Sequence, residues 1–134
     1  MAGDMVDRSK RPLRVPHAFV LDALAPLQPE VGRLFSGFAV YSGDRLLVVL
    51  RNSEKSPEDN GVWLVLAEGT DPADKSLRRD LPALREIHLL HGKLPHWLLL
   101  PSDDAAFETL ALHACDLMVS RDPRFGRVPM SRRS

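Results

Sequence analysis

The stretch LAPLQPEVGRLFSGFAVY, residues 24–41, decides how this chain is read. It joins the end of an apolar helix pattern to a strand through a compact Arg-x-Phe-x-Gly turn, Arg33 to Gly37. Working backwards, Phe19, Val20, Ala23, Leu24 and Leu27 fall at spacings of one, three and four, which puts them on one face of a helix that starts near His17. Pro26 and Pro29 limit that helix to roughly three turns, because proline lacks the amide hydrogen a helix interior needs. Working forwards, residues 37–41 and 46–51 are apolar runs separated by Ser42-Gly43-Asp44, which supplies a positive-φ residue for a tight hairpin.

Further on, NSEKSPEDNG at 52–61 is polar and turn-rich and predicts a mobile surface excursion before a third strand over 62–68. Asp71-Pro72 reads as a helix start: Asp71 can cap free amides, Pro72 suits the first helical position, and Asp74 favours the positive end of the dipole. That helix runs to about Leu81 or Leu84. Residues 85–91 and 96–101 read as another strand pair about Gly92-Lys93-Leu94-Pro95. Ser102-Asp103-Asp104 offers capping oxygens for a last helix over about 105–120, with Phe107, Leu110, Ala111, Ala114, Leu117 and Met118 on one face. Asp122-Pro123 ends it, since the residue before proline resists helical geometry.

The element order is therefore α-β-β-β-α-β-β-α. Hairpin-length connections favour an α+β two-layer sandwich: a five-stranded, mainly antiparallel sheet with helices packed on one face. The strands do not alternate apolar and polar residues; 46–50, 63–66 and 97–100 are apolar on both faces. Helices on one side leave the other uncovered, and a second copy of the chain is the expected cover, which predicts a homodimer.

At 134 residues the chain fits one domain with an ordinary core, and its single cysteine, Cys115, reads as a small buried hydrophobe. Neither an apolar run of membrane-spanning length nor a signal-peptide pattern is seen, so a bacterial-type cytoplasmic protein is expected. The 18 basic and 18 acidic residues balance, but the bases gather at the ends. The expected organisation is a flexible basic arm at 1–16, a single domain at 17–121 and a flexible basic tail at 122–134. Arg121, Arg124, Arg127, Arg132 and Arg133 are the candidates for contact with nucleic-acid phosphates; a solvated tail is the competing reading.

Chemistry is harder to find. Phosphate loops, nucleophile elbows, dinucleotide fingerprints and zinc-protease motifs do not occur. His91 and His96 would face each other across the second strand pair, but a zinc site needs a third ligand, and no metal or cofactor is assigned. Asp103-Asp104 suits a helix N-terminus better than acid–base catalysis, and no catalytic residue is assigned.

Phe19, Leu24, Pro26-Leu27, Val31, Arg33, Phe35, Gly37 and Tyr41, followed by the apolar hairpin, resemble the N-terminal domain of the TfoX/Sxy family. The resemblance is strongest through Leu66. It implies a secretion-chaperone-like α+β fold and a regulatory role, since family members work with a transcription factor at promoters. The chain departs from the family's Arg-Arg-Met-Phe-Gly-Gly turn, having Gly32-Arg33-Leu34-Phe35-Ser36-Gly37, and its 52–61 loop is longer. Locally, Phe35 is expected to seat the turn in the core and Gly37 to take a backbone angle other residues resist. Arg33 and Tyr41 are the candidate partner-binding residues. The resulting expectation is a non-enzymatic protein-interaction module; a nucleic-acid-binding protein and an unrecognised enzyme are the alternatives.

Overall fold

The computed structural model describes residues 14–132. Most of the arm expected at 1–16, and Arg133 in the tail, lie outside the described residues. A five-residue helix α1 (Phe19–Ala23) leads through a 3-10 turn (Ala25–Leu27) into strands β1 (Glu30–Leu34), β2 (Gly37–Ser42), β3 (Arg45–Arg51) and β4 (Gly61–Val65). Helix α2 (Lys75–Asp80), strand β5 (Trp97–Pro101) and helix α3 (Phe107–Val119) follow. The strands lie side by side in chain order and every neighbouring pair is antiparallel. The α+β class and the five-stranded antiparallel sheet are as expected.

The segments that supply the strands differ in two places. Residues 30–34, read as the approach to a turn, form β1 and pair with β2 from Glu30↔Tyr41 to Leu34↔Gly37. The connecting loop is only Phe35-Ser36, with φ of 56° and 61°, so both residues occupy the left-handed region that a two-residue hairpin with the sheet's own twist demands. Gly37 is required for a different reason than expected: a Cβ there would sit 2.8 Å from the Leu50 carbonyl oxygen of β3. Conversely, residues 85–91 contribute a single bridge, with Arg85 and Leu99 exchanging two backbone bonds of 3.0 and 2.8 Å. Beyond it Ile87 turns into the core and His88–Leu90 forms a 3-10 turn, because the buried Asp59 carboxylate accepts the amides of His88 and Leu89 at 2.9 and 2.8 Å. His91 ends that turn with φ 49° and does not face His96 across a hairpin.

The helices are shorter than their patterns predict. Pro26 diverts α1 into the 3-10 turn after five residues. The cap of α2 is Asp74, whose Oδ1 accepts the Leu77 amide at 2.9 Å; Asp71 instead bonds the Ala73 amide in the preceding turn. The 52–61 loop is built, not loose. Arg51, fully buried, donates to the carbonyls of Ser56 and Lys55 and to Asn60 Oδ1, while Asn60 also bonds both the amide and the carbonyl of Ser53.

Both faces of the sheet are closed by the chain itself. On one, Val20 and Leu24, Leu77 and Leu81, and the α3 row Phe107, Ala111, Ala114 and Met118 pack against Val48, Leu50, Leu64 and Leu100. On the other, Ala39, Val49, Trp63, Val65 and Leu99 are covered by Ile87, Leu90 and Leu94 of the 85–96 segment and by Phe35 and Trp97. Trp63 is 0% exposed and its Nε1 donates to the Asp59 carbonyl at 2.8 Å. Each such aliphatic side chain removed from water contributes about 1.5–3 kcal/mol, so both layers stabilise the fold. The open face that called for a second copy is therefore filled from within, and that argument for a homodimer falls. No helix among the described residues is long and apolar enough to cross a membrane.

Residues 122–128, expected to be a flexible tail, are bonded into the sheet. Past the Val48↔Leu64 pair, the ends of β3 and β4 take this segment as a shared neighbour: Leu46 and Arg127 exchange bonds of 2.8 and 3.0 Å, the Gly126 amide donates to Val65 and the Ala67 amide to Arg124. Phe125 is buried among the helix-side residues, whereas Val128 and Pro129 lie beside Phe35 and Trp97 on the other side. The segment thus threads past the end of the sheet from one layer to the other.

Candidate functional site

The two residues expected to bind a partner do not converge. Arg33 is exposed on β1 with its guanidinium 4.8 Å from the centre of the Phe38 ring, its register partner. Tyr41 packs with the second-face cluster, whereas Phe38 alternates with the cluster member Ala39 and so points to the other side. The Tyr41 ring is already occupied: the Arg132 guanidinium sits 3.9 Å above it, and Arg132 also donates to the Gly43 carbonyl at 3.4 Å.

What Arg33 does mark is a sheet edge. β1 pairs with β2 alone among the described residues, and Glu30, Val31 and Arg33 are exposed, Val31 at 36%. The opposite edge, β5, is partly taken up by the Arg85 bridge at Leu99.

The arginines assigned to a tail have separate tasks. Arg124 is an internal tie: its Nη2 lies 2.8 Å from both Asp122 and Asp80, Nη1 donates to Ser76, and Nε donates to Asp122. The guanidinium holds the Asp122 carboxyl below the usual carboxylate range, and the two carboxylates push Arg124 further up. Asp74 is held low in the same way by the Ser76 hydroxyl and the Leu77 amide. Arg127 is fixed by Nε donation to the Leu66 carbonyl at 3.2 Å. Arg121 takes φ 64° at the end of α3, where the Asp122 amide reaches back to the Leu117 carbonyl, and its side chain is exposed.

Arg121 and Arg127 meet a residue that the sequence did not single out. Together with Arg45 they line a cavity of about 620 Å3 on the helix side of the sheet, walled by Leu47, Met118 and Phe125. Arg45 Nη1 donates to the Gly126 carbonyl at 3.1 Å, and Gly126, at φ 92°, is the residue that lets the Arg45 stem lie flat: a Cβ there would be 2.7 Å from its Cδ. Asp122 and Glu68 also border the cavity. Among the described residues none of these three arginines forms an ion pair with a carboxylate. A second cavity of about 420 Å3 lies on the other side of the 127–128 segment, between Phe35, Trp97 and Met130, and shares Arg127. His96 lines it, and burial followed by the Arg127 charge lowers its pKa.

Arg45 was hidden because its role depends on Gly126, 81 residues away. Arg51 had a readable signal: a charge ending a run that is apolar on both faces needs a neighbouring loop to supply acceptors. Among the described residues no group of three His, Cys, Asp or Glu side chains is placed to hold a metal ion. No protein-family model, curated protein or solved structure matches this chain.

Proposed function

We propose that this chain is a non-enzymatic protein-interaction module, with a regulatory role of the TfoX N-terminal type, that accepts an extended segment of a partner protein along β1. The observation that carries this reading is the free side of β1: an edge strand bonded to β2 alone among the described residues, exposed at Glu30, Val31 and Arg33. An added strand would find backbone donors and acceptors in place, Val31 as an apolar anchor and Arg33 as a charge that selects among partners. With the second face of the sheet filled internally, β1 pairing with its own copy is the form a homodimer takes in this reading.

A photo-activated crosslinking residue at position 31, in the full chain in its native cell type, tests the reading. A discrete adduct that is absent when the same group replaces Leu112, an exposed residue of α3, is the supporting result. An adduct of twice the chain mass identifies the partner as a second copy. Equal, diffuse labelling from both positions would refute an edge-strand function.

A further inference from the structure

We propose that the cavity between the end of α3, the start of β3 and the 122–128 segment is a binding site for a small organic phosphate. In this arrangement Arg45, Arg121 and Arg127 receive the phosphate, and its apolar body lies against Leu47, Met118 and Phe125. This site lies outside the β1 edge and does not depend on the reading of that edge.

Three observations carry it. The first is charge: three arginines and two acidic residues line the cavity, and Asp122 is already held through both its oxygens by Arg124. The second is that two of the three cations are positioned. Among the described residues Arg45 is tied to the Gly126 carbonyl and Arg127 to the Leu66 carbonyl, each through a single nitrogen, which leaves the other N–H groups of each fork for a ligand. Backbone carbonyls fix these groups without neutralising them, unlike the carboxylates that consume Arg124. The third is shape. A volume of about 620 Å3 is far more than a bare phosphate fills and lies within the range of small-molecule sites, and Leu27, Leu47, Met118 and Phe125 give part of the lining an apolar character. Guanidinium forks match phosphate oxygens in pairs, and an excess of positive charge favours a dianionic phosphate monoester over a monoanionic carboxylate.

Titration calorimetry of the full chain with 2-naphthyl phosphate, 2-naphthoate, 2-naphthol and inorganic phosphate tests the proposal, with amide NMR locating the contact. Naphthyl phosphate should bind tightest and move the amides of Leu47, Met118 and Gly126. Arg45→Gln and Arg127→Gln should each weaken it about tenfold, the effect of losing one charged hydrogen bond, while Arg79→Gln, exposed on α2, should not. Arg121→Gln guards against misfolding, since among the described residues no hydrogen bond holds that side chain; the affinity of this variant should also fall, and unchanged affinity would overturn the site. Absence of binding at millimolar ligand, equal binding of naphthol, tighter binding of naphthoate, or inorganic phosphate binding as well as the naphthyl ester would each overturn it. So would shifts confined to other residues.

Discussion

The Arg124 guanidinium lies 2.8 Å from the Asp80 carboxylate, 44 residues earlier in the chain, and through this contact the C-terminal segment is fastened to the end of α2. The same guanidinium holds Asp122 and reaches Ser76, whose hydroxyl donates to the α2 cap Asp74. One side chain therefore links the cap of a helix, its last turn and the strap past the sheet end.

Arg124→Ala should lower unfolding free energy by about 2 kcal/mol, less than a fully buried pair because the group is partly exposed to solvent. The acid side should change as well. Asp122 and Asp74 have folded-state pKa values below their unfolded ones, so their stabilisation is present above about pH 4 and is lost as pH falls below that value. Urea melts at pH 7, 4 and 3 should show a shallower acid loss in Arg124→Ala than in the parent. An unchanged acid slope would mean that the cluster does not set it.

His17 gives a second and separate pH dependence. Its ring packs edge-on to Phe107 with centroids 5.0 Å apart, and Nε2 lies 3.1 Å from the Arg51 carbonyl oxygen. Burial lowers the imidazole pKa and outweighs the opposing effect of that hydrogen bond. The unfolded chain then takes up the proton first as pH falls, so this contribution is complete above about pH 6.5 and is lost progressively below it. His96 acts in the same direction. His17→Gln should reduce the drop in the urea midpoint between pH 7.5 and 5, leaving the part due to His96.

The layers and the central hairpin could be read directly, because residues 46–50 and 63–66 are apolar throughout and Gly43 marks the turn between 37–42 and 45–51. What could not be read depended on partners distant in sequence. Residues 30–34 look unlike a strand, with Gly32 inside and a turn that has neither glycine nor asparagine in its two loop positions; the loop holds because the Phe35 ring rests 5.3 Å from Trp63 and 5.6 Å from Trp97. Residues 85–91 look like a strand, but Asp59 takes two of their amides. The arginines after Arg121 look alike in sequence, and only the structure separates the internally paired Arg124 from the cavity-lining Arg127.

The β1–β2 loop lets two adjacent substitutions move stability in opposite directions. Ser36 is exposed at φ 61°, so Ser36→Gly should relieve left-handed strain and stabilise by about 0.5–1 kcal/mol. Phe35→Ala keeps the strained backbone and loses the ring from between two tryptophans, which should cost about 2–3 kcal/mol. Denaturant melts followed by tryptophan fluorescence measure both, and Phe35→Ala should also shift the native emission to longer wavelength. Two changes of the same sign would rule out this division of labour.

The 52–61 loop owes its place in the fold to Asp59. Asp59 is fully buried; its carboxylate accepts the amides of His88 and Leu89, with Arg85 Nη1 3.8 Å away, and its carbonyl accepts the Trp63 indole. The 52–61 loop thereby pins the segment that covers the second face of the sheet. Asp59→Ala leaves the part-buried amides of His88 and Leu89 without their acceptor and should cost about 2 kcal/mol. Global stability alone would not separate this from loss of packing, so the discriminating readout is hydrogen exchange by residue. The amides of His88 and Leu89 should lose protection first, together with Leu90, while Val62 and Leu64 in β4 exchange only with global unfolding. Uniform loss of protection across β4 and the 85–96 segment would show that Asp59 supports the whole sheet and is not a local latch on its cover.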